Sequence, residues 1–391
     1  MSPPRPPASQ PHPFVRTTPP PEVSLPPVPK LTRARVEELV ASGKRLLIQG
    51  AMGLHASDGL AGKVASAPST RFVPVGTVSA VGKTEASLVA EIRRARRDAP
   101  HGYIGVNLMA ALNRDDFEAC ARTALAEGVS FIVQGAGISR EIIRWCREAD
   151  TPFVGIVSSG RLAAMYERWG ADFVVAEGSE AGGHIGDLGH PLTRMVTEVR
   201  AATSLPVIAA GGIVGEDLGE LLELGAAGVQ LATRFLACSD GDAHPNFKAM
   251  HLGKTAEDVV VITSTVKGMK ARAIRNAFTD ALAEGEVFPP KAKAWFFAKE
   301  GYRGRKKSCI DCLAASLCLC RESNYTESFC ITDALLYAAV EGDTENGLFY
   351  SGQSVTRIPE KSLEELVDAH TLIARLDEEL AIWERSRRAA G

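Results

Sequence analysis

A histidine in a glycine-rich stretch is the residue of this sequence best suited to proton-transfer chemistry. His184 follows the adjacent glycines Gly182 and Gly183 in "AEGSEAGGHIG" (residues 176–186), with Glu177 just upstream. Such a cluster is typical of places where another group must approach the backbone closely, because glycine otherwise costs entropy without adding packing. Imidazole titrates near neutral pH and serves as a general acid or base. We therefore expect His184 to be catalytic; the simpler alternative is a histidine that only binds loop carbonyls.

Two later segments predict a phosphate site. Both combine a short apolar run with small residues and lie ahead of or within a helical pattern: Gly211 and Gly212 in "PVIAAGGI", and Gln230, Leu231, Ala232 and Thr233 in "VQLATRF". Backbone N–H groups at such turns hold a phosphate without a basic side chain. The alternative is that each segment is merely a tight turn between a strand and a helix.

Two other glycine motifs are weaker matches to nucleotide-binding loops. "GAGISR" (135–140) lacks the third glycine of the dinucleotide fingerprint, and "VGKTEAS" (81–87) lacks the first glycine of the phosphate-binding loop. We therefore interpret Thr84 in the second motif as a helix cap.

The cysteines of the second half have an irregular spacing. Cys309, Cys312, Cys318, Cys320 and Cys330 give C-x2-C-x5-C-x-C-x9-C, in which only the first pair has the spacing of metal ligands. Buried reduced thiols are the favoured interpretation, so no metal site is predicted, although zinc or an iron–sulfur cluster stays open. The remaining cysteines, Cys120, Cys146 and Cys238, are expected in the core.

Short apolar runs alternate with helical patterns from residue 46 onward. Eight such runs read as buried parallel strands: "LLIQGA", "FVPVG", "YIGVNLM", "FIVQGA", "FVGIVS", "DFVVAEG", "PVIAAGG" and "AGVQLATRF". Eight strands alternating with helices predict a (β/α)8 barrel, and the small or polar residues at the ends of nearly all of these strands predict a site at the C-terminal face.

Composition separates the ends of the chain from this repeat. More than half of the 22 prolines lie in the first 30 residues, which predicts an extended tail. We predict the barrel over 31–240, a mostly helical cap with the cysteine cluster over 241–330, and a C-terminal segment over 331–391 that returns to the barrel. This segment includes a helix from Lys361 to about Ala389. The net charge of −3 and the lack of a long apolar run argue against nucleic-acid and membrane partners. A cytoplasmic protein with a small-molecule substrate is expected, and a homodimer is left open.

Taken together, "AEGSEAGGHIG", "LPVIAAGGI", "GVQLATRF" and "AHPNF" resemble the nitronate monooxygenase family, which also includes flavin-dependent enoyl-acyl-carrier-protein reductases. The resemblance covers about residues 40–375 and implies a TIM barrel with FMN at the C-terminal strand ends. It implies His184 as the catalytic residue. It also implies a set of cofactor-binding residues: Ala51, Met52, Asn107, Glu177, Gly182, Gly183, Gly211, Gly212, Gln230, Leu231, Ala232, Thr233 and Gln353.

The resemblance leaves the reaction open. The segments "CIDCLAASLC" and "GLFYSGQ" resemble members of the family that are grouped with the nitronate monooxygenases, which use oxygen. The glutamate at position 177 is closer to the enoyl reductases, which would use NAD(P)H as a co-substrate. A third alternative is a non-catalytic FMN-binding protein whose proline-rich tail docks on a partner. Of the three, the sequence favours the monooxygenase.

Overall fold

A closed barrel of eight parallel strands forms the centre of the protein. The computed structural model describes residues 26–53, 59–81, 83–109, 114–186, 189–263, 270–283 and 331–390. The barrel strands are β1 (Arg45–Gln49), β2 (Phe72–Ser79), β3 (Tyr103–Met109), β4 (Phe131–Gly135), β5 (Phe153–Val157), β6 (Phe173–Glu177), β8 (Val207–Ala210) and β9 (Gly228–Leu231). Each pairs with its neighbour along the chain, and β9 closes the ring on β1 with Leu46 opposite Gly228. All eight predicted strands are confirmed.

Helices follow the strands and cover the barrel. They are α1 (Arg33–Ala41), α2 (Leu60–Ser66), α3 (Glu85–Asp98), α4 (Arg114–Ala126), α5 (Glu141–Glu148), α6 (Gly160–Trp169), α7 (Leu192–Ala202), α8 (Leu218–Glu223), α9 (Thr233–Leu236), α10 (Pro245–Ala249) and α11 (Ala277–Ala283), then α12 (Ile331–Leu336) and α13 (Ala369–Ala390). The Thr84 hydroxyl accepts a hydrogen bond from the Ser87 N–H at the start of α3. The predicted helix cap is therefore confirmed.

Alternation along the strands separates two apolar layers. One side of each strand packs against the helices, and the other side fills the barrel. The interior is filled by large residues: Leu46, Ile48, Val75, Phe131, Val133, Val154, Phe173, Val175 and Ile208. Leu31, Val36 and Leu39, which precede or lie on α1, join this interior cluster and close its N-terminal end. The filled interior leaves the C-terminal face as the place for a site.

A second, three-stranded sheet lies beside the barrel. It consists of β7 (Gly183–Ile185), β10 (Val259–Thr263) and β11 (Lys270–Ile274), with β11 antiparallel to both others. The described part of 241–330 therefore contains a strand pair besides α10 and α11, which the predicted helical cap did not include. The cysteines from Cys309 to Cys330 lie outside the described residues. The domain boundaries stay a prediction.

The C-terminal helix begins later than predicted. The pattern from Lys361 reads as one helix, but a separate 3-10 turn covers Leu363–Glu365 and α13 starts at Ala369. The Asp368 carboxylate accepts the Thr371 N–H at 2.7 Å and so fixes the start of the helix. Cys120, Cys146 and Cys238 are buried, as predicted. Within the described ranges, none of the helices is long and apolar enough to span a membrane.

Candidate functional site

The inward-facing positions change from apolar to polar at the C-terminal ends of the strands. Val75 lies inside the barrel on β2, whereas Thr77 and Ser79, two and four residues further, are polar at the same face. By the same alternation, Asn107 near the end of β3 and Glu177 at the end of β6 lie on the inner face. The interior of the barrel is therefore apolar, with a layer of polar side chains at its C-terminal end.

A cavity of about 240 Å³ lies next to this layer of polar side chains, at the C-terminal face of the barrel. Eight of the predicted site residues line it: Ala51, Met52, Asn107, Gly182, Gly183, His184, Ala232 and Thr233. They come from four separate strand ends or loops, so the fold brings together residues that are up to 182 positions apart. The predicted gathering of these residues at one place is what the structure shows, while their contact with a cofactor stays a prediction.

Six predicted residues do not line the cavity. The Gln230 side chain lies beside Gly50, where an added Cβ would come within 3.2 Å of it. Leu231 packs its side chain toward the helices. Gln353 has an exposed side chain, and its N–H donates to the Glu180 carbonyl at 2.9 Å. The others, Glu177, Gly211 and Gly212, lie at the ends of β6 and β8.

The chain itself approaches the glycines before His184. A Cβ on Gly182 would overlap the backbone of Ser351 and Gly352, so the returning C-terminal segment requires a glycine there. Gly183 has a φ of +72°, a left-handed conformation that favours glycine. We predicted bare backbone that admits a planar ring. The structure adds a second reason for the glycines, namely the close packing of residues 351–352.

His184 lies in β7 and is held from two sides. Its backbone pairs with Ala271 of β11, and its ring meets the Tyr350 ring edge-on at 5.5 Å between centroids. Burial lowers the pKa of His184 to about 4, because the imidazolium would lose hydration there. His184 is therefore neutral at physiological pH and offers one N–H donor and one nitrogen acceptor.

Glu177 has the opposite perturbation at the end of β6. Loss of hydration raises its pKa to about 7, and part of the side chain remains exposed. A carboxyl group with this pKa is largely protonated below neutral pH and is able to donate a proton. Perturbed groups such as His184 and Glu177 are typical of functional sites.

Backbone donors cluster beside the cavity at the ends of β8 and β9. The N–H groups of Gly211, Gly212, Ala232 and Thr233 have no acceptor among the described residues. β8 and β9 are adjacent in the barrel, so these donors lie on neighbouring loops. The Thr233 hydroxyl accepts the Gly352 N–H at 3.0 Å, which leaves its own proton available to donate. Unsatisfied donors in this number fit an anionic group such as a phosphate.

Arg272 on β11 connects the glycine loop to the second sheet. Its buried guanidinium donates to the Ser179 carbonyl and, at 2.6 Å, to the Ala181 carbonyl. Sequence reasoning missed this residue, and also several residues that line the cavity: Ser79, Met109, Leu236, Phe247, Leu335, Leu348, Tyr350 and Ser351. Ser79 was detectable as a polar residue at the end of a strand. The residues after 330 reach the site only through long-range packing.

A parallel barrel with a bare-backbone cavity, a half-buried histidine and, among the described residues, N–H groups without acceptors at two strand ends is typical of barrel enzymes that bind a phosphorylated cofactor. Comparison with known proteins gives the family. The chain matches the nitronate monooxygenase family over residues 38–378 and belongs to it. Members of this family are flavin-dependent oxidoreductases.

Two relatives are similar in sequence. A Mycobacterium tuberculosis protein, a (3aS,4S,5R,7aS)-5-hydroxy-7a-methyl-1-oxo-octahydro-1H-indene-4-carboxyl-CoA dehydrogenase, is 29% identical over 338 residues, which are 84% of this chain and 92% of the relative. A probable nitronate monooxygenase of Staphylococcus aureus is 35% identical over 157 residues, which are 38% of this chain. This match spans 44% of the Staphylococcus protein, less than half its length.

Two solved structures have the same fold. FabK from Thermotoga maritima superimposes with a TM-score of 0.70 at 27% identity and covers 91% of this chain and 99% of FabK. Nitroalkane oxidase from Streptomyces ansochromogenes gives a TM-score of 0.64 at 22% identity, covering 90% of this chain and 99% of the oxidase. The second likeness supports the fold alone.

Proposed function

We propose that this protein is an FMN-dependent oxidoreductase that acts on the Cα–Cβ unit of an acyl thioester. The observation that carries the proposal is the chemistry of the cavity wall. No Lys, Arg, Asp or Glu occurs among the described lining residues, and His184 is neutral. Apolar side chains from Leu236, Phe247 and Leu348 line the same cavity.

Such a wall discriminates between substrate classes. A buried anion without a cationic partner is costly, whereas the reacting part of a thioester is uncharged and its acyl chain is apolar. The near-full-length Mycobacterium relative is named for a coenzyme A thioester substrate. Both lines of reasoning favour a thioester over a nitronate, which is an anion.

FMN fits the residues present at the site. The free N–H groups of Gly211, Gly212, Ala232 and Thr233 would hold its phosphate, and the backbone of residues 51–53 and 182–183 would contact its ring system. When bound, FMN supplies the two-electron chemistry that no amino-acid side chain provides.

His184 would handle the proton at the substrate α-carbon. In its neutral form it has one unprotonated ring nitrogen, which would accept a proton when the thioester is dehydrogenated and return it when an enoyl thioester is reduced. The edge-on Tyr350 ring and the pairing of β7 with β11 hold the imidazole in place.

Nitronate oxidation is the second candidate. The family match and the Staphylococcus relatives favour it, although those relatives match less than half of their length. In that reaction His184 would orient the substrate or move its α-proton, oxygen would be the second substrate, and NAD(P)H would not be needed.

Anaerobic reduction of the purified, FMN-loaded protein separates the candidates. For a thioester enzyme, NADH or NADPH should bleach the flavin and a medium-chain enoyl-CoA should restore its colour. For a nitronate monooxygenase, propyl-2-nitronate should bleach it and neither nicotinamide should. A yellow protein that is inert to every donor and acceptor would instead support the non-catalytic alternative.

A substitution tests the histidine. His184→Ala should retain FMN and lose at least about 100-fold in turnover, the range expected for a general acid or base. His190→Ala is the matched control, since the backbone carbonyl of His190 accepts the Ser179 N–H and would be retained. Full activity of His184→Ala would exclude the assigned role.

A further inference from the structure

Arg357 contacts the glycine turn at the end of β8. It lies in the 3-10 turn Gln353–Arg357, and its Nη2 donates to the Gly212 carbonyl at 2.7 Å. Both terminal nitrogens also donate to the Asp217 carboxylate, at 2.8 and 2.9 Å. The guanidinium is thus fixed by three hydrogen bonds, although the side chain is about half-exposed.

The contact with the Gly212 carbonyl determines the direction of the next N–H. The C=O and N–H of one trans peptide point in opposite directions, so a carbonyl held toward Arg357 aims the Ile213 N–H away from it. Ile213 is buried, and its N–H has no acceptor among the described residues, like those of Gly211 and Gly212. Gly211 and Gly212, with φ values of +111° and +68°, have no side chains that would restrict the turn, so the hydrogen bond from Arg357 limits its conformational freedom.

The segment that carries Arg357 is attached to the site at two further points. The Gly352 N–H donates to the Thr233 hydroxyl, and the Gln353 N–H donates to the Glu180 carbonyl. Arg357 is therefore the third attachment of a segment that connects the loops after β6, β8 and β9.

We infer that Arg357 is a positioning residue for the FMN phosphate: it fixes the turn 211–213 so that its N–H groups converge on the phosphate. The inference rests on the proposed function. Asp217 pairs with the guanidinium, so the effect of Arg357 is mainly on the orientation of the turn and only weakly on net charge.

Flavin binding tests this role apart from activity. We would titrate the flavin-stripped full-length chain with FMN and with riboflavin, which lacks the phosphate, and follow quenching of flavin fluorescence. Arg357→Ala should weaken FMN binding roughly tenfold, the effect of losing one hydrogen bond to a charged group, and leave riboflavin binding unchanged. Arg357→Lys should restore part of the loss. Arg144→Ala is the control, because Arg144 is an exposed arginine whose carboxylate partner, Glu148, is its helix neighbour on α5.

The outcomes separate this inference from the proposal on which it rests. If the wild-type chain binds neither flavin, the proposed function fails. If the wild type binds FMN and Arg357→Ala binds it equally well, only the role of Arg357 is wrong. An equal loss of FMN and riboflavin affinity would also overturn the inference, because the effect would then not involve the phosphate.

Discussion

Glu177→Gln should stabilise the protein in a pH-dependent way. The folded-state pKa of Glu177 is raised from 4.5 to about 7. Folding therefore favours the protonated carboxyl: the stability contributed by the proton is fully present below pH 4.5 and is lost as pH rises through 7. At about 1.4 kcal/mol per pKa unit, this loss is about 3 kcal/mol at pH 8. Because part of the side chain is exposed, solvent screening reduces the expected loss to about 1–2 kcal/mol.

Glutamine has the same shape without the charge, so it removes the penalty. We expect Glu177→Gln to exceed the wild type in free energy of unfolding by about 1–2 kcal/mol more at pH 8 than at pH 5. Urea unfolding of the FMN-free full-length chain, at both pH values, measures this difference. His184 titrates over part of the same range but is present in both proteins, so its contribution cancels.

Glu148→Gln is the matched control, since it makes the same substitution at an exposed glutamate on α5, outside the site. The reasoning about Glu177 would be refuted by a stability difference between Glu177→Gln and wild type that is the same at pH 5 and pH 8. It would equally be refuted if the glutamine variant were the less stable protein at pH 8.

Three further predictions follow from the described contacts. The pKa of His184 is about 4 in the folded state and 6.5 in the unfolded state, so the protein loses stability as the pH drops from 6.5 to 4. His184→Gln should therefore lose about 1–2 kcal/mol less stability than the wild type between pH 7 and pH 4.5, measured by urea unfolding at both pH values. Gly182→Ala should lower both the FMN affinity and the melting temperature, because its Cβ would overlap the backbone of residues 351–352. Gly189→Ala is the control: it has open space around it and should lower the free energy of unfolding by only about 1 kcal/mol, the cost of a left-handed alanine. Equal effects of the two variants on stability would contradict the packing argument. Arg234→Met should cost about 3–5 kcal/mol because it leaves Glu360 buried with only the half-exposed Arg375 as partner, and the double variant with Glu360→Leu should regain much of this.

The barrel could be predicted because its signals are local. Each strand is a short apolar run, most of them with a small or polar residue at or just after the C-terminal end, and each pairs with its neighbour in sequence. The location of the site followed from the same rule, because the ends of parallel strands meet at one face, whereas most of the individual cofactor-binding residues were implied by the family resemblance.

The second sheet and the particular contacts of the returning segment could not be predicted from local patterns because their partners are distant in sequence; only the resemblance implied that this segment returns to the barrel. β7 has three residues and pairs with β11, so that His184 lies opposite Ala271. Neither strand is long enough to show a hydrophobic alternation from which it could be predicted. The fit between Gly182 and the backbone of residues 351–352 is likewise invisible until the chain is folded. Local periodicity therefore predicted the barrel, whereas the contacts that hold His184 in place depend on long-range packing and were not predicted.

The flavin content of the purified full-length protein tests the central claim most directly. The free backbone donors at the ends of β8 and β9 and the cavity beside His184 predict one FMN per chain, released on denaturation and identified by its phosphate. A colourless protein that retains no FMN after incubation with an excess of it would contradict the account.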